Sequence, residues 1–184
     1  MVENIFIIPI EDEAARENFS AAVEAGGYEI DALASWAGDR NLPDLLRRHY
    51  PGGKCYAWGV QEGKGNNLET WKAMDPDDLV LFYLDGAIVS ASFVRMKTND
   101  PSLAAKLWGG NSEDPPGLIC FTDKPYLGEV PIVPQMHSYL DPEYRDFVKL
   151  QSEKRGNILM HYGSLETFVH LCLGYDFPFS LRHT

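Results

Sequence analysis

Four flat aromatic side chains, Trp58, Trp71, Tyr83 and Trp108, fall in the same stretch of chain as the cations Lys54, Lys64, Arg95 and Lys97. Aromatic faces can sandwich a nucleobase, and lysines and arginines at the mouth of such a pocket can hold phosphates. The competing reading of an aromatic residue on a strand is core packing, which accounts for most such residues. Other chemistries lack their parts. The run Gly59-Val-Gln-Glu-Gly63-Lys64-Gly65 looks like a phosphate loop, but it is one spacer residue short and has no Ser/Thr for magnesium. No G-x-G-x-x-G opens a helix after a strand, and no G-x-S-x-G marks a nucleophile elbow. His49, His137, His161, His170 and His183 form no i,i+4 pair and no zinc spacing with a cysteine pair. Asp75, Asp77 and Asp78 stand just before an apolar run, where turn chemistry accounts for them. No metal, cofactor or catalytic residue is therefore expected.

The 184 residues are 45% apolar, which suits one soluble globular unit. Sixteen basic side chains against 27 acidic ones give a formal charge of −11, too acidic for the whole surface to attract nucleic acid without discrimination. Any anion binding has to be local. Residues 47–72 supply one local excess, with Arg47, Arg48, Lys54, Lys64 and Lys72 against Glu62 and Glu69. Three widely spaced cysteines, Cys55, Cys120 and Cys172, argue for a reducing cytoplasm and against a disulfide scaffold. The first ten residues read as a strand, not a signal peptide, and no apolar run reaches the ~18 residues of a membrane span.

The elements that must position these side chains are short. A strand over 1–10 is followed by a helix over 11–25, which starts acidic and stops at Gly26-Gly27, and by another helix over 43–49. The pattern then predicts a strand over 54–60, a helix over 67–74 and a hairpin over 79–84 and 87–96 around Asp85-Gly86. Leu-Val-Leu-Phe-Tyr-Leu in the first arm is apolar on both faces and should be a central, doubly covered strand. Further on, a helix over 101–107 opened by Pro101, strands over 117–122 and 127–133, a helix over 142–154, a strand over 158–161 and a helix over 165–173 are expected. Residues 1–50 read as an N-terminal strand and helices packed on a main domain over 51–184. The alternation predicts an α+β sheet curling toward a barrel.

Tyr56-Ala-Trp-Gly-Val60, then Glu69-Thr-Trp-Lys-Ala-Met74, Asp78, Leu-Val-Leu-Phe-Tyr83, Asp85-Gly86, Leu107-Trp-Gly109 and Leu118-Ile-Cys-Phe121 together resemble the EVE domain of the PUA superfamily. The resemblance covers roughly residues 54–125. That family is related to the YTH readers of methylated adenine, and Ala57-Trp58-Gly59 is similar to the Val-Trp-Ser segment that supplies a wall of their aromatic cage. The resemblance implies a PUA-like fold, a curled sheet or small β-barrel flanked by short helices, with a pocket for an extruded base. EVE and YTH-like domains also occur as sensors in modification-dependent restriction endonucleases.

On that resemblance Trp58 is the first candidate for stacking, with Trp108 and Tyr83 as further walls and Ser90 and Ser92 as hydrogen-bonding partners of the base edge. Lys54, Lys64, Arg95 and Lys97 are expected at phosphates, with Lys154 and Arg155 (and Lys149) on a second edge. Trp71 is assigned to core, and Trp36 lies outside the matched pattern. The implied function is a non-catalytic, cytoplasmic reader of DNA carrying methylated or hydroxymethylated cytosine or N6-methyladenine. A nuclease or motor, in the same longer chain or in a partner, would do the cutting. An RNA-binding PUA-like domain, an enzyme acting on a small nucleoside or nucleotide, and a protein-interaction module stand as alternatives.

Overall fold

The computed structural model describes residues 2–109 and 114–177. In chain order the strands are β1 (Ile5–Pro9), β2 (Tyr28–Glu29), β3 (Lys54–Val60), β4 (Leu79–Leu84), β5 (Ala87–Asn99), β6 (Leu118–Thr122), β7 (Tyr126–Pro131) and β8 (Val148–Lys149). The helices are α1 (Glu13–Phe19), α2 (Ile30–Ala34), α3 (Leu42–His49), α4 (Asn67–Lys72), α5 (Pro101–Ala104), α6 (Ser152–Tyr162) and α7 (Leu165–Leu171). One π-helical turn, Ser20–Glu24, extends α1, and another, Ala105–Gly109, extends α5. Among the described residues no helix is long and apolar enough to cross a membrane. The fold is mixed α+β.

The chain divides into two compact units, one drawn from residues 1–11, 77–93 and 126–184, the other from 12–76 and 94–125. The first fifty residues are thus shared: β1 belongs to the first unit, and α1, β2, α2 and α3 to the second.

In the first unit the strand order is β8-β1-β4-β5-β7, with β1 parallel to β4 and the other pairings antiparallel. The turn between β4 and β5 uses Asp85 at φ 46° and Gly86 at φ 83°, the pair of positive values a two-residue hairpin turn demands. As its composition predicts, β4 is central and buried from Leu79 to Tyr83. One face of the sheet, with Ile5, Ile7, Leu79, Leu81, Tyr83 and Phe93, shares a core with Ile158 of α6 and Leu165, Phe168 and Val169 of α7. α7 begins where Ser164 Oγ accepts the Thr167 amide. α6 ends at Gly163, whose φ of 80° needs no Cβ.

The structure corrects two sequence expectations here. Residues 142–151 do not form the start of a helix. Instead they run as a loop that buries Tyr144, Phe147 and Leu150 and pairs Val148 and Lys149 with β1, and α6 starts at Ser152. The expected strand over 158–161 is the C-terminal part of α6, where Ile158 is buried and Met160 is 75% exposed. Its apolar run is too short for periodicity to tell strand from helix.

In the second unit the order is β2-β3-β6-β5, all antiparallel. Ile30 and Leu33 of α2, Leu42 and Leu46 of α3, Cys55 and Ala57 of β3, Leu103 of α5 and Phe121 of β6 form its core. Asp100 ties this unit together. Its carboxylate is buried, caps α5 by accepting the Leu103 amide at 3.0 Å, and also accepts the Gly38 amide at 2.9 Å. Asp100→Ala removes the cap and leaves a buried amide unpartnered, so urea unfolding is expected to show a loss of about 2 kcal/mol.

Candidate functional site

β3 decides where the tryptophans go. Successive side chains of a strand point to opposite faces. Trp58, opposite Cys120 in the β3–β6 register, is 8% exposed and meets Phe19 edge-on, with ring centroids 6.3 Å apart. Gly59 faces the other way, against Trp108. A Cβ at residue 59 would lie 2.5 Å from Trp108 Cζ3 and 2.2 Å from the Pro116 carbonyl oxygen. Trp108 is half-buried, and its Nε1–H donates to Tyr28 Oη at 3.0 Å, the two rings standing at 67°. Burial, the main effect on it, raises the Tyr28 pKa. Trp58 and Trp108 therefore lie on opposite faces of β3. Trp71, on α4, is half-buried; its Nε1–H donates to the Ile119 carbonyl and its ring lies 4.9 Å from Lys97 Nζ.

Tyr83, Ser90 and Ser92 belong to the first unit. Tyr83 lies on the core face, packs edge-to-face on Tyr144 at 5.5 Å, donates its hydroxyl to the Pro142 carbonyl and lines a cleft of about 790 Å³. The serines pair with Phe82 and Val80 in the β4–β5 register, which puts them on the opposite sheet face from Tyr83. Both are fully buried. Ser90 Oγ donates to the Tyr126 carbonyl at 3.0 Å, whereas Ser92 Oγ has no hydrogen-bond partner among the described residues. Within neither unit do the five candidate pocket residues assemble as one set.

Most of the candidate phosphate contacts hold the fold's own oxygens. Lys97 Nζ donates to the Trp71 and Lys72 carbonyls at 2.8 and 2.7 Å, at the C-terminal end of α4. Arg95 pairs with Asp123, donates to the His49 carbonyl at the end of α3 and sits over the Tyr50 ring. Helix C-termini carry orphan carbonyls and partial negative charge, which is where cations bind best. Lys54 pairs with Glu29 at 3.6 Å; Lys154 holds Asp141 and the His137 carbonyl; Arg155 donates to the Glu3 carbonyl. Lys64 is exposed on the turn after β3. The basic residues are nevertheless unevenly shared: the second unit spans eleven of the sixteen, against fifteen acidic residues, and the first spans five against twelve.

Tyr28 and Tyr144 were not singled out from the sequence. Tyr28 meets Trp108 across 80 residues, and no local pattern carries that contact.

No protein-family model matches the chain, and no curated protein matches it. Among solved structures, the N-terminal domain of Thermococcus gammatolerans McrB bound to m5C DNA is similar, with a TM-score of 0.59. The match has 20% sequence identity and covers 85% of this chain and 95% of that one. The two share a fold.

Two outcomes test this geometry. Gly59→Val drives a side chain into Trp108 and backbone, and is expected to cost roughly 1–3 kcal/mol of stability and to shift tryptophan emission. Burial also pushes the thiols of Cys55 and Cys120 from the ordinary 9.0 up to about 12. A raised thiol pKa means that above pH 9 the unfolded chain binds fewer protons than the folded one. Stability from these groups is thus complete below pH 9 and is lost as pH rises toward 12, which denaturant titrations across that window would read.

Proposed function

We propose that this chain is a non-catalytic reader of duplex DNA carrying a modified base, with methylated cytosine first among the candidates. The carrying observation is the fold shared with a domain solved on m5C DNA, spanning 95% of that domain. The EVE-like residue pattern around Trp58 and Trp108 supports the same reading from an independent direction. The base is extruded from the duplex and stacks on an aromatic face. The chain serves as the sensor of a restriction system in which a separate nuclease or motor, in cis or in a partner, does the cutting.

The energetics explain why such a site needs more than a methyl pocket. Burying one methyl contributes about 0.8 kcal/mol. Stacking adds ~1–3 kcal/mol per base, against an unstacking cost of a few kcal/mol. Polar contacts to the base edge must supply the balance. Since Trp58 and Trp108 occupy opposite faces of β3, one of them stacks on the base and the other is structural.

Fluorescence anisotropy with short duplexes, unmodified or bearing one 5-methylcytosine, 5-hydroxymethylcytosine or N6-methyladenine, tests the proposal. One modified duplex is expected to bind at least tenfold tighter than its unmodified twin, a difference of about 1.4 kcal/mol. Equal affinity for all duplexes, or tighter binding of the matching RNA, would overturn it. Trp58→Ala and Trp108→Ala, each checked for folding by circular dichroism, should separate the roles: one abolishes the preference. Its survival in both folded variants removes the aromatic wall.

A further inference from the structure

Trp58 and Trp108 divide on a physical criterion: a ring that stacks on a base must have surface left to give. Trp58 is 8% exposed and edge-on to Phe19, whereas Trp108 stays half-buried. The indole of Trp108 is also held at both ends. Gly59 closes on its six-membered ring, where a Cβ would lie 2.5 Å from Cζ3. At the other end Tyr28 Oη accepts the Nε1–H at 3.0 Å, the two rings standing at 67°. Tyr28, Gly59 and Trp108 all lie in the second unit. The double glycine that stops the first helical segment builds the Tyr28 end of this clamp. Gly26 and Gly27 take φ of 91° and 89°, and a Cβ at residue 27 would lie 2.7 Å from the Cys55 carbonyl oxygen, so only glycine lets the chain approach β3 this closely. Tyr28 then pairs with Cys55 in the β2–β3 register, on the face of β3 that Gly59 shares.

Resting on the reader function above, we propose that Tyr28 is the positioning residue of the base-stacking wall: its hydroxyl fixes the Trp108 indole in the orientation that receives the extruded base. Trp108 is then the tryptophan that stacks, and Trp58 the structural one. A side chain ordered in advance spares the complex the rotamer entropy of ordering it when the base arrives. With its N–H already bonded, the indole meets the base as a π surface alone. Without the Tyr28 oxygen, the N–H seeks another acceptor and the ring turns.

The test is a double-mutant cycle on the full chain, read by anisotropy with the modified duplex that the wild type prefers and with its unmodified twin. Tyr28→Phe keeps the ring and removes the acceptor; Trp108→Phe keeps a stacking ring and removes the donor. Each variant, folded by circular dichroism, is expected to lower the preference roughly threefold or more while affinity for the unmodified duplex stays as it was. In the Trp108→Phe background, Tyr28→Phe should cost nothing further, because it acts through the indole N–H. The Trp108 indole resonance in a 15N spectrum, assigned by its loss in Trp108→Phe, should move in Tyr28→Phe and also when the wild type binds the preferred duplex. Full preference in either folded single variant, additive losses in the double variant, or an indole resonance that the preferred duplex leaves in place overturns the proposal and leaves the reader function standing. A wild-type chain with no preference among the duplexes removes the reader function, and this proposal with it.

Discussion

Thirteen consecutive residues, Ala87–Asn99, run as one strand, and each N–H and C=O along it requires a partner. No single neighbour supplies them all. In the first unit β4 pairs with residues 87–93 and β7 with 87–91; in the second, β6 pairs with 94–99. The register shifts at Ile88/Ser90 and at Val94/Met96 mark irregularities where pairing to β7 and to β6 is adjusted. Its composition fits that duty. Ser90, Ala91 and Ser92 are small and fully buried, allowing close packing on both faces of the sheet, while Arg95 and Lys97 further along reach past the ladder to helix ends.

Those two cations change how an acidic chain handles its few positive charges. Arg95 and Lys97 each complete a helix C-terminus that would otherwise present bare carbonyls, α3 in one case and α4 in the other. Lys97 does so through the Trp71 and Lys72 carbonyls, whereas Arg95 joins a helix-end carbonyl to the Asp123 carboxylate. Position on a strand made the two look equivalent; their partners make them unequal.

Much of this was legible where periodicity is unambiguous. Lys54–Val60 and Leu79–Leu84 were read at their observed bounds because one is flanked by glycine and proline breaks and the other is apolar on both faces. β2, α2 and β8 were not read. They are two to five residues long and exist through pairings such as Tyr28 with Cys55 and Phe6 with Lys149, which no local window contains. The candidate site was legible as a set of residue types and not as an arrangement. Trp58 and Trp108 look alike in sequence, yet Gly59 presses on one ring while its neighbour's side chain points to the other face. The serines illustrate the same limit: two positions apart on one face of one strand, one hydroxyl is satisfied by Tyr126 and the other finds no partner among the described residues.

On the proposed reading, this division of labour sets the character of the binding. A chain with a net charge of −11, whose candidate contacts Lys54, Arg95, Lys97, Lys154 and Arg155 already hold internal oxygens, neutralises few phosphates. Each phosphate contact contributes roughly 0.9 to the slope of log affinity against log salt, so the slope should be shallow for a DNA-binding protein. What remains must come from the base itself. Stacking on a single tryptophan face is tolerant of base identity, because every base has a π-face. Discrimination therefore rests on polar groups that meet the edge of the base, where an unmatched donor or acceptor is left buried at a cost of ~1–3 kcal/mol. That cost exceeds the value of the methyl group alone, so a modified base is told from its parent only where the methyl decides whether the polar contacts can close.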